Sequence, residues 1–396
     1  MKNVLVVGGD GFVGWPVALR LSQSFKVIIV DNLARRKTDV ELECDSLTPI
    51  QPVSKRIETW KRVSGEKIEY ENFDVSDNYH RLLTLIKKYK PFAIVHLAEQ
   101  RAAPYSMKSS YHKRYTINNN INATNNILCA IVESGVDTHL VHLGTTGYYG
   151  YSDVGMTIPE GYLPVKVDVD GKEKEIEILY PANPGSVYHM TKCQDAISFL
   201  YFNKNDGIRI TDLHQGIVWG TETSETKLDE ALVNRFDYDG DYGTVLNRFL
   251  MQSQIGHPLT VYGTGGQTRA FIHIQNSVEC IELAVTHPPK NDRVRIFNQT
   301  TECLNVKDLA KKISHMTGAE MRFYSNPRNE DLKNDLKFNN EGLLNLGLNP
   351  ITLDDGLMNE VMKIANQYKD RCILDKIICT SVWSRDKEVD YKGVSI

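Results

Sequence analysis

The sequence predicts an α/β protein: a doubly wound parallel sheet with a smaller, discontinuous C-terminal domain. Three observations lead there. The chain opens with a Val-rich run, a glycine-rich turn, a helical pattern and a second apolar run that ends in an acid. Further apolar runs alternate with amphipathic stretches, as strands do when they cross through helices into one parallel sheet. At 396 residues the chain has room for two or three domains of about 150 residues each.

VLVV, the first element, suits a buried parallel strand. Gly8, Gly11 and Gly14 follow in a G-x-x-G-x-x-G spacing, and WPVALRLSQ continues as a helix with Pro16 tolerated near its start. KVIIV is a second buried strand and leads into Asp31. Glycines let the backbone turn tightly and approach a pyrophosphate at the positive end of a helix, and the acid accepts hydrogen bonds from adenosine ribose hydroxyls. Strand, glycines, helix, strand and acid in this order make a dinucleotide-binding (Rossmann) fingerprint. Asp31 favours NAD over NADP, while Arg35 and Arg36 could receive a 2′-phosphate. KIEYENFDVSD supplies Asp74 and Val75, an acid and an apolar neighbour able to flank an adenine. FAIVHLAEQ and THLVHLGTTGYYG read as further buried strands, and YHRLLTLIKKY as a helix. Ligands of such sheets lie off the carboxyl ends of the strands. Arg101 and Thr145 fall there, although Arg101 reads equally well as a solvated loop charge.

Composition is that of an ordinary globular chain, 41% hydrophobic and 24% charged, with a formal net charge of −4. No basic block marks a nucleic-acid surface, and no apolar run reaches membrane-spanning length. MKN runs straight into VLVVGG with no secretory leader pattern, which points to a soluble cytoplasmic protein. Seven scattered cysteines without a C-x-x-C pair read as free thiols of a reducing compartment, and no metal site is expected.

SVYHMTK (186–192) sets Tyr188 and Lys192 one turn apart if the stretch is helical. An ammonium beside a phenol favours the phenolate, which makes a base usable near neutral pH. An ordinary helix surface could carry the same pair, so the company it keeps decides its meaning. The glycine turn, Thr145 at a strand end and Tyr-x-x-x-Lys together resemble the extended short-chain dehydrogenase/reductase superfamily of nucleotide-sugar epimerases, dehydratases and decarboxylases. The blocks GGDGFVGW, VDNLARR, SLTPI, AEQRAAPYSM, LGTTGYYG, YHMTK, TDLHQGIVWG, GTVLNRF, GHPLTVYGTGGQTR, FNQ, NPR and LGL run in the order of the UDP-sulfoquinovose synthase family and are similar to it.

That resemblance implies condensation of UDP-glucose with sulfite, carbon–sulfur bond formation that uses a tightly held NAD⁺. Tyr188 would take the 4-hydroxyl proton while the C4 hydride leaves. Loss of the C5 proton and the 6-hydroxyl would give a 5,6-ene, sulfite would add at C6, and hydride would return to C4. Lys192 would tune Tyr188 and bond the nicotinamide ribose, and Thr145 would bond the 4-oxygen. Asn120 matches the position that orients the lysine, and reads equally as a helix-surface amide. Related 4,6-dehydratases carry Asp-Glu directly after the Thr, whereas this chain has Thr146 and Gly147. The C5 base and C6 acid are therefore unassigned. His189 is a candidate for meeting sulfite or moving a proton, and equally a packed helix residue. The family's Met and Glu are replaced here by Thr146 and Tyr148.

The resemblance also places Phe12, Val13, Asn32, Leu97, Gln215 and Val218 along the cofactor. Arg101, Gln215, Thr244, Asn247, Thr260, Val261, Tyr262, Gln267, Arg269 and Arg328 fall along the UDP-sugar with Thr145 and Tyr188, the guanidiniums of Arg269 and Arg328 being suited to a diphosphate. LPVKVDVDGKEKEIEILYP alternates around Asp170-Gly171 and reads as a β-hairpin, expected to cover the site and exclude water. The expected plan is a larger domain over 1–217 with the hairpin near 160–182 inserted. Segments near 268–300 and 352–384 return to it, 218–267 and 301–351 form the smaller domain, and 385–396 is a tail. A homodimer is expected from the superfamily. The alternatives are an epimerase or 4,6-dehydratase that uses no sulfite, and a non-catalytic NAD-binding sensor.

Overall fold

The computed structural model describes residues 1–396 apart from 153, 291, 329, 354, 355, 382, 384–393 and 396. Strands β1 (Asn3–Val7), β2 (Lys26–Asp31), β3 (Ile68–Asn72), β4 (Ala93–His96) and β5 (His139–Thr145) come first. An insertion holds β6 (Thr157–Ile158), β7 (Tyr162–Val169) and β8 (Lys172–Leu179). The chain then runs through β9 (Ile210–Gln215), β10 (Ile217–Trp219), β11 (Leu259–Tyr262), β12 (Thr268–His273), β13 (Arg295–Gln299), β14 (Glu302–Asn305), β15 (Met321–Tyr324) and β16 (Lys337–Phe338). The helices of the first half are α1 (Gly14–Ser22), α2 (Ala34–Leu42), α3 (Val53–Ser64), α4 (Tyr79–Tyr89), α5 (Ala103–Met107), α6 (Ser110–Ser134) and α7 (Val187–Asp206). Those of the second half are α8 (Val245–Gln254), α9 (Ile274–Thr286), α10 (Val306–Thr317), α11 (Glu341–Asn345) and α12 (Met358–Gln367).

Seven parallel strands form the central sheet in the order β13-β9-β5-β4-β1-β2-β3. Strand β1 shows why it lies at the centre. Val4 and Val6 enter one buried cluster with Trp15, Ile29 and Ile281, while Leu5 and Val7 enter another with Ile28, Leu128 and Ile131. Alternate side chains feed opposite faces, so a strand covered on both sides must be apolar throughout. Strand order reverses between β1 and β4, and this switch point opens the crevice that sheets of this kind use for ligands.

Three features of the expected plan change. Residues 358–367 do not return to the sheet. α12 lays Met358, Val361 and Ala365 against Leu246, Phe249 and Leu250 of α8, because its apolar stripe matches that helix. The segment after 267 is also split. β12 joins β10 and β14 in a separate three-stranded sheet, whereas β13 completes the edge of the central one. The hairpin forms as expected, with Asp170 and Gly171 both at positive φ (54° and 76°), as a type I′ turn demands. It stands out from the body with both faces largely exposed and lines neither cavity described below, so it does not cover the site. The expected tail over 385–396 lies outside the described residues, except that Val394–Ser395 pair with β15.

Candidate active site

The glycine turn is held by backbone packing. Gly8 has φ +88°, and a Cβ there would lie 2.6 Å from the Leu97 carbonyl carbon. A Cβ on Gly14 would lie 2.0 Å from the Gly8 oxygen, so α1 starts directly over the turn. The positive end of α1 therefore faces a crevice open to a diphosphate. This cradle, which side chains at Gly8 and Gly14 would fill, suits a dinucleotide. Gly8, Gly11, Phe12, Val13, Gly14, Asp31, Asn32, Arg35, Asp74, Val75, Leu97, Tyr188, Lys192 and Gln215 all line the crevice.

Asp31 accepts from the Asp10 amide at 2.8 Å and the Leu33 amide at 2.7 Å, and burial pushes its pKa up to about 6. The two arginines that could have held a 2′-phosphate are already paired. Arg35 reaches Asp237 at 2.9 Å and also pairs with Asp39, while Arg36 makes a two-pronged contact with Asp10 at 2.6 and 2.9 Å. Arg36 does not line the crevice. Asn32 donates to Asp74 at 2.6 Å, which joins the ends of β2 and β3. Asn120 makes no direct hydrogen bond to Lys192 among the described residues. It is fully buried and bonds the Gln100 backbone and the Thr191 hydroxyl, tying the loop after β4 to α7. Val218 faces the second cavity instead of the crevice.

That second cavity opens beside the first, and Tyr188 lines both. Thr145, His189, Arg101, Gln215, Val218, Thr244, Thr260, Tyr262, Gln267, Arg269 and Arg328 line it. Two expected residues do not. Asn247 is spent on Gly220, accepting from its N–H at 2.9 Å and donating to its carbonyl at 3.1 Å. Val261 is fully buried in the smaller domain's core. The alternation of β11 puts Thr260 and Tyr262 on the cavity side and Val261 behind.

The reactive groups converge through three elements. Thr145 ends β5, and its hydroxyl accepts from Gly147 N at 3.1 Å. Ser186 caps α7 by accepting from His189 N at 3.2 Å, which sets Tyr188 and His189 in the first turn. Lys192 follows one turn later, 6.0 Å from the Tyr188 ring centre, and donates to Leu143 O at 2.6 Å. The expectation that Lys192 brings the phenol down is only half met. Burial raises the Tyr188 pKa, while Lys192 and a Thr145 hydrogen bond lower it, and burial wins. The Cδ2–Nε2 edge of His189 packs against Gly147, where an added Cβ would come within 2.3 Å of the ring. Among the described residues its Nδ1 is buried without a partner, and burial with Arg328 and Arg269 pushes its pKa down to about 3. Tyr148 points away, donating to Tyr180 O at 2.9 Å, and Thr146 reaches Gln215 O at 3.4 Å.

Arg101 pairs with Asp237, so it is no free solvated charge. Arg269 is held by Glu330 and lies 4.3 Å from the Tyr151 ring centre. Sequence reasoning missed Arg248, a buried guanidinium that lines the cavity 5.5 Å from the Tyr262 ring centre, its Nε without a partner among the described residues. The signal was present, since Arg248 lies in the quoted GTVLNRF block beside Asn247. Asp10, Tyr115 and Asn119 of the crevice were also missed.

A glycine cradle at the switch point, a cavity beside it and a Tyr–Lys pair where the two meet define a nucleotide-cofactor enzyme that acts on a second, bound ligand. The chain belongs to the NAD dependent epimerase/dehydratase family, which it matches over residues 4–298. It is 42% identical to the chloroplastic UDP-sulfoquinovose synthase of Spinacia oleracea over 390 residues, covering 97% of this chain and 80% of that protein. It is 40% identical to the UDP-sulfoquinovose synthase of Sulfolobus acidocaldarius over 334 residues, 83% of each. The fold is that of a UDP-glucose 4-epimerase with UDP-glucose from Thermotoga maritima, with TM-score 0.68 and 20% identity over 93% of this chain and 99% of that one. A dTDP-glucose 4,6-dehydratase from Bacillus anthracis in complex with NAD gives TM-score 0.67 and 15% identity over 94% and 97%.

Proposed function

We propose that the protein is a UDP-sulfoquinovose synthase, joining sulfite to UDP-glucose to give UDP-6-sulfo-6-deoxyglucose and water. The observation that carries this reading is the placement of His189 against Gly147, beside Thr145 and Tyr188. An imidazole occupies the space into which a residue-147 side chain would project, so the site has a neutral base at the position of a dehydratase carboxylate. The names of the two relatives at 40% identity or more agree with this reading.

NAD held by these residues would supply reversible hydride transfer at C4. Asp31 receives the adenosine ribose hydroxyls, and the glycine turn the diphosphate. Tyr188 takes the 4-hydroxyl proton, with Thr145 holding the 4-oxygen. His189, unprotonated at neutral pH, takes the C5 proton made acidic by the 4-ketone. The 6-hydroxyl leaves as water with the proton that His189 took from C5, and the sulfur lone pair of sulfite, which enters as hydrogen sulfite, adds to C6 of the resulting enone. The proton released as the adduct becomes a sulfonate goes to C5 from the His189 side, and Tyr188 returns its proton to the 4-oxygen. Arg248 and Arg328 face the UDP diphosphate, and Thr244, Thr260, Tyr262 and Gln267 its nucleoside side. Sulfite arrives free or from a delivering protein.

Among the described residues no helix is long and apolar enough to cross a membrane. We place the protein in the cytoplasm and expect two copies to pair through the adjacent helices α6 and α7, where Tyr111, Ile197 and Tyr201 are exposed. The function is tested with purified protein and UDP-glucose, with and without sulfite. A UDP-linked sulfonate that forms only with sulfite is the expected result. A UDP-sugar product formed equally well without sulfite, with no sulfonate, removes the reading in favour of an epimerase or dehydratase.

A further inference from the structure

Behind the Tyr188–Lys192 pair lies a buried set of ionisable side chains that the steps above do not use. The loop after β4 supplies Glu99, β5 supplies His142, and β9 supplies Asp212 and His214. They form a line. Lys192 Nζ lies 2.8 Å from Glu99 Oε2, and Glu99 Oε1 lies 3.0 Å from His142 Nε2. His142 Nδ1 lies 2.8 Å from Asp212 Oδ1, and Asp212 Oδ2 lies 3.0 Å from His214 Nε2. Every one of these side chains is at most 5% exposed. Both ring nitrogens of His142 face carboxylate oxygens, Nδ1 that of Asp212 and Nε2 those of Glu99 and, at 3.7 Å, Asp195, and only the imidazolium form meets them with two donors. Lys192 Nζ also lies 3.2 Å from Nε2, so the head of the line is a three-way cluster of Lys192, Glu99 and His142.

The electrostatics follow the geometry. Burial and Lys192 press the His142 pKa down, but Asp212 and Glu99 outweigh them and hold it up at about 9. Burial opposes ionisation of Glu99 and Asp212. Lys192 and His142 overcome it at Glu99, and His214 and His142 overcome it at Asp212, so both carboxyls stay well below the usual range. Burial disfavours the charged form of the groups packed around the line. His96 of β4, 3.3 Å from Glu99, is pushed down to about 3 by burial. Asp195 of α7 is raised well above its ordinary value by burial and Glu99. Thr124 of α6 contacts both His96 and Glu99. His96, Glu99 and His142 also converge as metal ligands do, yet the Lys192 ammonium already supplies a cation to that carboxylate. What remains is an alternating chain, Lys192⁺, Glu99⁻, His142⁺ and Asp212⁻, whose first member faces the Tyr188 phenol.

We propose that Glu99 is a positioning residue for the base: with His142 and Asp212 behind it, Glu99 anchors Lys192 and sets how much of the ammonium's field reaches Tyr188. The proposal rests on the reading of Tyr188 as the base. Glu99 masks the ammonium, and His142, held cationic by Asp212, limits that masking. Removing Glu99's charge should therefore unmask Lys192, and removing Asp212's should deepen the masking. The two changes act on Tyr188 with opposite signs, which no purely structural role would produce.

The test uses the full chain labelled with carbon-13 at tyrosine Cζ, with Tyr188→Phe identifying the Tyr188 resonance. In Glu99→Gln the Tyr188 titration is expected about one pH unit below wild type, and in Asp212→Asn about one above. The acid limb of single-turnover NADH formation from UDP-glucose should move in the same two directions. Titrations that stay at the wild-type position, or move the same way in both variants, overturn the proposal. If Glu99→Gln does not fold, Asp212→Asn decides alone, and an unmoved or lowered titration overturns it. A protein whose Tyr188 titrations shift as stated but which never oxidises UDP-glucose loses the proposed reaction and keeps the ion chain.

Discussion

The cofactor crevice and the substrate cavity meet at Tyr188 but are built by different means. The crevice is a backbone structure made largely by one stretch. Gly8 and Gly14 leave no room for a Cβ, and Asp31 is fixed by the amides of Asp10 and Leu33. The cavity is a side-chain structure drawn from both halves of the chain. Thr145 and His189 face Arg248, Arg269 and Arg328, and long-range contacts hold its walls, such as Arg269 with Glu330 and Thr268 N with Asn334 Oδ1 at 2.7 Å. The difference teaches that a site made of backbone can be damaged by adding one carbon, whereas a site made of side chains is damaged by removing a partner.

Five measurements would break or sharpen that contrast. The largest effect is expected at the junction. Tyr188→Phe should lower kcat by about 10²–10⁴-fold while NAD content stays at the wild-type level, as read by stopped-flow absorbance and by NAD released on denaturation. Gly14→Ala drives a methyl into the Gly8 carbonyl and should cost about 3 kcal/mol in urea unfolding, with loss of bound NAD. An alanine protein that keeps both would show that the turn is not backbone-packed. Glu330→Gln should cost about 2 kcal/mol by leaving Arg269 without its carboxylate. It should raise KM for UDP-glucose and leave NAD binding alone, and a variant that loses NAD first would unite the two regions.

The fourth measurement separates them by pH. Asp31 must be ionised to accept ribose hydroxyls, so NAD affinity should fall by up to about tenfold per pH unit below about pH 6. The sign for stability is opposite. The folded carboxyl takes up a proton near pH 6 that the unfolded one takes up only near its ordinary value of about 3.9, so the NAD-free protein gains stability as pH falls across that window. Isothermal titration with NAD and thermal unfolding without it check the two halves. The smallest effect is expected from replacing the hairpin between Leu163 and Ile178 with a short turn. It lines neither cavity, so kcat should change less than about twofold, in keeping with a surface change worth about 0.5 kcal/mol or less.

The crevice was legible in the sequence almost residue by residue, because its parts lie in order along the chain and glycine spacing reports backbone geometry directly. Legibility failed where a side chain's use depends on a neighbour far away. Asn120 matched a motif position, yet Gln100 and Thr191 absorb its amide. Arg36 and Asn247 sat in matching blocks, yet Asp10 and Gly220 claim them. Arg248 went unnoticed although it sits in a matching block, because sequence does not show which of the block's side chains face the cavity. The hairpin's strands and turn were readable from alternation and Asp170-Gly171, but its direction was not, since strand propensity says nothing about where a hairpin points.

By itself, then, the sequence determined the parallel sheet, the glycine cradle with its acid, and the Tyr188–Lys192 spacing, all of which arise from local periodicity and from residues with few permitted conformations. Only the tertiary structure decided which arginines are free, that α12 packs on α8, that His189 takes the space above Gly147, and that Lys192 stands at the head of a buried line of charges. Those facts are sums over contacts between distant segments. In a low-dielectric interior such sums, more than residue identity, settle which groups are ionised and which can act.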